Sequence, residues 1–210
     1  MDDITRLVDL LGTGDGSEDE QILARLALHG RKAVEALLLA ASAPEARRRA
    51  AAIAALGRVG DARGRRTVTL ALADRNASVR AAAASAMAAF PSGETTGRLR
   101  GMLEREPEVE VRLRGAATLV DLFNSGTVEA LDPLLSLAKD PREDRRVRLE
   151  ALKVLGCLPS SEARAIAAGL TADRDVRLAR AAARYSGPAQ PGEATGAEEA
   201  LAELSSPDYF

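Results

Sequence analysis

Val79-Arg80-Ala81-Ala82-Ala83-Ala84-Ser85-Ala86-Met87 returns, altered but in the same frame, as Val111-Arg112-Leu113-Arg114-Gly115-Ala116-Ala117-Thr118-Leu119. Both stretches read apolar-Arg-x-x-small-x-x-small-apolar. The arginine recurs at Arg49, Arg80, Arg112, Arg148 and Arg177, with gaps of 31, 32, 36 and 29 residues. Self-similarity at such a period marks stacked units, none of which can bury its own apolar face alone. Inside the frame the spacing is helical: Val79, Ala83, Ala86 and Met87 fall on one stripe. The arginine stands at the edge of that stripe. There its stem can lie on apolar surface while its guanidinium reaches a carboxylate or a free carbonyl of an adjacent turn.

Composition agrees with a helical stack. Hydrophobic residues make up 46% of the 210 residues, but aromatics only 2%, with no Trp. A core must then be built from Ala, Leu and Val, and Ala and Leu are strong helix formers. Net charge is −2 with 29% charged residues, so no global bias toward a polyanion exists. The bias is local. Residues 187–210 hold Glu193, Glu198, Glu199, Glu203 and Asp208 with no Lys or Arg, which leaves the first 186 residues at a formal +3. A single cysteine, Cys157, excludes an intramolecular disulfide framework. The N-terminus Met1-Asp2-Asp3-Ile4 has no basic region before an apolar run, so no secretory signal is expected. No run of roughly 18 uncharged apolar residues occurs, so no membrane span is expected and the default location is cytoplasmic.

Periodicity and turn residues divide the chain into a leading helix and turn (1–16), a repeat array (17–186) and an acidic tail (187–210). A short helix is expected over 3–11. Ser17 and Glu20 form a capping box for a helix from 18 to His29-Gly30. The next helix, 31–42, has Val34, Leu37, Leu38 and Leu39 as its apolar side, and Pro44 suits the first turn of the one that follows to 58. A helix over 62–73 completes that pair. Further pairs are expected at Asp74–Phe90 with Glu94–Glu106, Glu108–Phe123 with Thr127–Lys139, and Arg142–Leu158 with Ser161–Thr171, then Asp175–Tyr185 as an unpaired last helix. Residues 187–196 read as a flexible linker and 197–204 as a short acidic amphipathic helix using Leu201 and Leu204.

An acidic residue tends to precede the repeated arginine: Asp74, Glu106 and, less regularly, Asp140 and Asp173. One reading is a structural ladder, Arg49, Arg80, Arg112, Arg148 and Arg177 pairing with acids such as Asp74 and Glu106 of their own or the next repeat. The other is a row of phosphate-binding arginines. One fixed register against the apolar stripe favours the ladder.

Over roughly residues 18–186 this pattern resembles the HEAT repeat, in the short form of phycobilisome-lyase-like HEAT proteins. The resemblance rests on Asp74-x-x-x-x-Val79-Arg80-x-x-Ala83, Glu106-x-x-x-x-Val111-Arg112-x-x-Gly115, Val147-Arg148-x-x-Ala151-x-x-Val154-Leu155-Gly156 and Val176-Arg177-x-x-Arg180-x-x-Ala183. Arg48 departs from the pattern before Arg49, as does Arg180 after Arg177; the latter suits an exposed terminal helix. The resemblance implies an all-α fold, an α-solenoid of about five helix pairs with a flexible C-terminal tail. It also implies that second helices line the concave face. These would carry Arg31, Lys32 and Glu35, then Arg63, Arg65 and Arg66, then Arg98, Arg100 and Arg105, then Glu129, Asp132 and Lys139, then Glu162 and Arg164.

Few residues suit catalysis. His29 is the only histidine and stands at a helix end, where a cation suits the helix dipole. One His and one Cys make no zinc ligand set, and no cofactor or metal is expected. The iron-binding HEAT proteins, the deoxyhypusine hydroxylases, use His-Glu motifs that do not occur here. Cys157, within Leu155-Gly156-Cys157-Leu158, is expected to be a buried small hydrophobe. Gly12-Thr13-Gly14-Asp15-Gly16 lacks the Lys of a phosphate loop and reads as a linker. Arg63-Gly64-Arg65-Arg66 has no aromatic neighbour for base stacking.

The expected function is a non-catalytic protein–protein interaction scaffold, monomeric or weakly self-associating. Arg63, Arg65, Arg66, Arg98 and Arg100 would form the contact patch for an acidic partner segment. A second expectation is that the tail, through Leu201, Leu204, Tyr209 and Phe210, docks on the basic surface in cis or in trans. The alternatives are a nucleic-acid-backbone binder and a lyase-type HEAT subunit acting on a tetrapyrrole-carrying partner. HEAT-like DNA glycosylases share the architecture only, since no aromatic-lined base pocket is evident.

Overall fold

The computed structural model describes residues 3–14 and 16–186, apart from the side chains at 16, 17 and 160. These residues form α1 (Asp3–Leu10), α2 (Gly16–His29), α3 (Val34–Ala40), α4 (Ala46–Val59), α5 (Arg65–Ala71), α6 (Ala77–Ala86), α7 (Gly93–Leu103), α8 (Val109–Asn124), α9 (Leu131–Lys139), α10 (Arg145–Leu152), α11 (Ser160–Ala168) and α12 (Val176–Ser186), with no strand among the described residues. Single 3-10 turns, Gly30–Ala33, Ala62–Gly64 and Val128–Ala130, lead into α3, α5 and α9. Two others, Met87–Ala89 and Lys153–Cys157, finish α6 and α10. The fold is all-α, of the solenoid class built from helix pairs.

The chain divides into two compact units, one through Ser136 and one from Leu137 onward, with the boundary inside α9. In the first unit α2, α4, α6 and α8 pack in succession. The second helices lie beside them: α3 against α4, α5 against α4 and α6, and α7 against α8, while α1 covers α2 and α3. Leu26, Leu37, Ile53, Leu56, Val79, Phe90 and Leu119 are fully buried. Burying a side chain of this size contributes about 1.5–3 kcal/mol, so these residues supply the stability. The alanines set the spacing. Ala52, Ala55, Ala83 and Ala116 have no exposed surface, and a Cβ on Gly57 would lie 2.6 Å from the Cβ of Ala86. That contact is shorter than atoms tolerate, so α4 and α6 approach as closely as they do because position 57 has no side chain. In the second unit α12 packs on α10 and α11 over Val147, Ala151, Leu155, Ala167, Leu178 and Ala182.

The helix ends follow local chemistry. Asn76 accepts from the Ser78 N–H at 2.9 Å, Ser92 from the Thr95 N–H at 3.1 Å and Asp144 from the Arg146 N–H at 2.8 Å, each satisfying a donor that the first turn leaves free. Gly60 ends α4 in the left-handed region at φ 65°, donating its N–H to the Leu56 carbonyl. Several expected starts move inward. Pro44 does not enter the first turn of α4; Glu45 is the N-cap, and the Pro44 carbonyl is taken up by the Arg49 side chain. Asp74 stands in the turn before α6, and Glu106 in the turn after α7. Both carboxylates bind side chains and turn amides and so belong to the linkers. Leu39 is a further correction: it is 79% exposed rather than part of the apolar side of α3, because only Val34, Leu37 and Ala40 face α4 at helical spacing. Ser17 of the expected capping box lies outside the described side chains, and Glu20 directs its carboxylate to Arg58 at 2.7 Å.

Candidate partner-binding surface

The repeated arginines do two things at once. Arg49 donates from Nε and Nη2 to the two Asp74 oxygens, each at 2.9 Å, and from Nη1 to the Ala43 and Pro44 carbonyls at 3.0 and 2.8 Å. Arg80 makes the same fork with Glu106, both bonds 2.7 Å, and donates to the Asp74 carbonyl at 3.0 Å. Arg112 donates to the Glu106 and Pro107 carbonyls at 2.9 and 3.0 Å. In the second unit Arg148 pairs with Asp173 at 3.2 and 2.5 Å and donates from Nε to the Ala138 carbonyl. Arg49, Arg80 and Arg148 therefore tie their own helices to carbonyls that precede them and to the acidic turn 25 or 26 residues ahead. Arg177 is exposed and makes no ion pair among the described residues.

The acids are equally committed. Asp74 Oδ1 accepts the Asn76 N–H, Glu106 Oε1 the Glu108 N–H and Asp173 Oδ1 the Asp175 N–H. The arginine hydrogen bonds hold the carboxyls of Asp74, Glu106 and Asp173 below their ordinary range, with the turn amides adding to the effect. Glu106 Oε1 accepts two hydrogen bonds and Oε2 one, and with its side chain 2% exposed the fork offers a ligand little access. A row of phosphate-binding arginines does not fit guanidinia already occupied by carboxylates and carbonyls.

The five arginines expected to form one contact patch have different surroundings. Arg63 is tied to Asp61 and Glu35, each at 3.0 Å, and to the Arg31 carbonyl, beside a depression of about 600 Å³ formed with Val59, Gly60 and Ala62. Its hydrogen bond to Asp61 lowers that carboxyl. Arg65 lies over the Phe90 ring at 5.7 Å from the centroid, a cation–π contact. Arg66 is exposed on α5 with no ion pair among the described residues. On α7, Arg98 meets Glu94 at 3.4 Å and Arg100 meets Glu104 at 3.2 Å, both at i,i+4 and open to solvent. Such pairs contribute about 0.3–0.5 kcal/mol and leave the guanidinium available.

A second concavity, about 560 Å³, opens between α5 and α7. Thr69, Leu70 and Ala73 form one wall, Arg98, Met102 and Arg105 the other, with Asp74, Arg80, Glu106 and Pro107 at one end. Leu70 is 66% exposed. Leu39 occupies the same register one repeat earlier, two residues after the buried Leu37 as Leu70 is two after the buried Val68. The sequence reading missed this pair. The signal was a leucine out of phase with the buried stripe in two successive second helices.

The single histidine and cysteine have separate surroundings. His29 Nε2 is 3.0 Å from Asp3 Oδ2, and Arg25 holds the other oxygen at 3.0 Å, tying α2 to α1; the His29 bond is the main cause of the lowered Asp3 carboxyl. Cys157 is exposed, contrary to expectation. At the end of the Lys153–Cys157 segment Val154, Leu155 and Leu158 are buried, while Gly156 and Cys157 face out. Desolvation still raises its thiol, whose Sγ lies 3.9 Å from the Lys153 carbonyl. Among the described residues no group of three or more His, Cys, Asp or Glu side chains is placed to hold a metal, and no helix is long and apolar enough to cross a membrane. Leu201, Leu204, Tyr209 and Phe210, the expected docking residues of the tail, lie outside the described residues.

Residues 32–120 and 65–147 match HEAT repeats. No curated protein matches the chain. Among solved structures, the complex of CpcE and CpcF of phycocyanin lyase from Nostoc sp. PCC7120 is similar at 22% identity and a TM-score of 0.59, over 71% of this chain and 95% of that one. Two engineered proteins are similar at 19% identity. One has a TM-score of 0.56 over 89% of this chain and 96% of its own; the other has 0.53 over 89% and 98%. At these identities the likeness establishes a shared fold. With repeat matches across more than half its length, a helix-pair architecture and an arginine in one register of successive repeats, the chain belongs to the HEAT-repeat family.

Proposed function

We propose that this chain is a non-catalytic interaction module that holds a segment of a partner protein along the second helices of its first unit. The observation that carries this reading is the pair Leu39 and Leu70, 79% and 66% exposed at equivalent positions of α3 and α5. Large apolar side chains left open in register on neighbouring helices form a surface that gains by being covered, and a rigid repeat array presents it without an ordering cost. The ladder arginines belong to the stack, which moves the binding role to residues outside the repeat frame. The lyase reading has no residue in its favour here: a neighbour at 22% identity supports common architecture alone.

The test is partner capture from the native cell with the full chain. Leu39→Glu with Leu70→Glu abolishes retention of the partner, whereas Leu28→Glu, at a leucine 88% exposed on α2, leaves it intact. Equal retention by both variants overturns the reading.

A further inference from the structure

We propose that the groove between α5 and α7 takes an acidic, leucine-bearing segment of a partner protein. This rests on the second-helix surface being the binding surface and adds the chemistry of what it holds. The argument is one of charge left over after internal pairing. Two carboxylates, Asp74 and Glu106, stand at the end of the groove, and on formal count they would offset its arginines. They do not, because each is already forked by a ladder arginine and accepts a turn amide as well. What remains is positive. Arg98 is held only by a single 3.4 Å contact to an exposed Glu94, Arg105 makes no ion pair among the described residues, and Arg66 stands one turn before Leu70 on the same face of α5. An apolar residue lines the groove together with Arg98 and Arg105: Leu70, two-thirds exposed.

A ligand must therefore offer an apolar side chain for Leu70 and carboxylates for Arg98 and Arg105. A basic segment meets like charge, and the two carboxylates of the groove are already held by ladder arginines. A nucleic-acid backbone supplies anions but nothing for the leucine, and no base-stacking aromatic stands in the groove. The volume, about 560 Å³, admits a few side chains of an extended or helical segment rather than a folded domain.

Binding of three fluorescent synthetic peptides to the full chain, followed by anisotropy, tests this. The peptides are a Glu/Leu amphipathic sequence, its Lys/Leu counterpart and a Glu/Ser sequence without apolar residues. The Glu/Leu peptide binds at least tenfold more tightly than either of the others. Arg98→Glu with Arg105→Glu weakens it at least tenfold, and Arg180→Glu with Arg184→Glu on α12, an equal change of net charge, leaves it within twofold. Equal binding of the Lys/Leu peptide, equal weakening by the α12 pair, or tighter binding of random duplex DNA through Arg98 and Arg105 overturns the proposal. So does self-association of the chain that is lost in Arg98→Glu with Arg105→Glu, since the occupant is then a second copy. If partner capture depends on Leu39 and Leu70 but is indifferent to Arg98 and Arg105, the surface stands and the acidic ligand falls.

Discussion

Arg80 and Glu106, 26 residues apart, meet as a two-bond fork with both N–O distances 2.7 Å, and the Glu106 side chain is only 2% exposed. The pair joins α6 to the turn after α7. Removing one member leaves a buried charge without its partner, which is far more costly than losing an exposed ion pair. Arg80→Met destabilises the chain by about 3–4 kcal/mol, and adding Glu106→Gln recovers part of that loss. Urea denaturation of the single and double variants measures both. A single variant within 0.5 kcal/mol of the parent would show that the fork contributes little.

The same forks set an acid limit. Asp74, Glu106 and Asp173 have folded-state pKa values below the ordinary 3.8 of Asp and 4.5 of Glu. Groups lowered in the folded state bind fewer protons there than in the unfolded chain. Their stabilisation is present above the ordinary carboxylate range and is lost as pH falls through it toward the folded values. The denaturation midpoint therefore holds between pH 7 and about 5 and falls steeply below about 4. In a variant with Asp74→Asn and Glu106→Gln the slope of that fall is reduced.

Two glycines within helices separate packing from propensity. Gly57→Ala places a methyl 2.6 Å from the Ala86 Cβ and 2.7 Å from its Cα, so α4 and α6 must part; the cost is about 1–3 kcal/mol. Gly97→Ala, in α7, meets nothing within 4 Å and stabilises by about 0.5–1 kcal/mol through the smaller entropy of the unfolded chain. Thermal melts of the two variants shift in opposite directions.

Cys157 offers a chemical check on its placement. It is exposed, yet desolvation raises its thiol above the ordinary value, so little thiolate exists at neutral pH. A disulfide reagent modifies one thiol per native chain more slowly than it modifies free cysteine at pH 7, and the gap narrows in denaturant. Complete protection in the native chain would return the residue to the core.

The repeat, the all-helical class and the helix pairs were legible because they depend on local spacing: Val79, Ala83, Ala86 and Met87 share a face whatever lies opposite. Cys157 and Leu39 were misread for a related reason. An apolar neighbourhood in sequence does not say which side of a turn faces in: Leu155 and Leu158 are buried, whereas Cys157 between them is exposed.

The arginine cluster shows the larger gap. Arg63, Arg65, Arg66, Arg98 and Arg100 are alike in sequence, but which guanidinia are engaged depends also on groups brought near by folding: Glu35 for Arg63, beside its local partner Asp61, and Phe90 for Arg65. By itself the sequence determined the stack, since each repeat carries its own stripe, its arginine and its acidic turn. Only the tertiary structure decided which of the remaining charges stay lightly paired, because the forks that occupy Asp74 and Glu106 are settled across 25 and 26 residues by packing, and Arg98 and Arg105 beside Leu70 are what those forks leave.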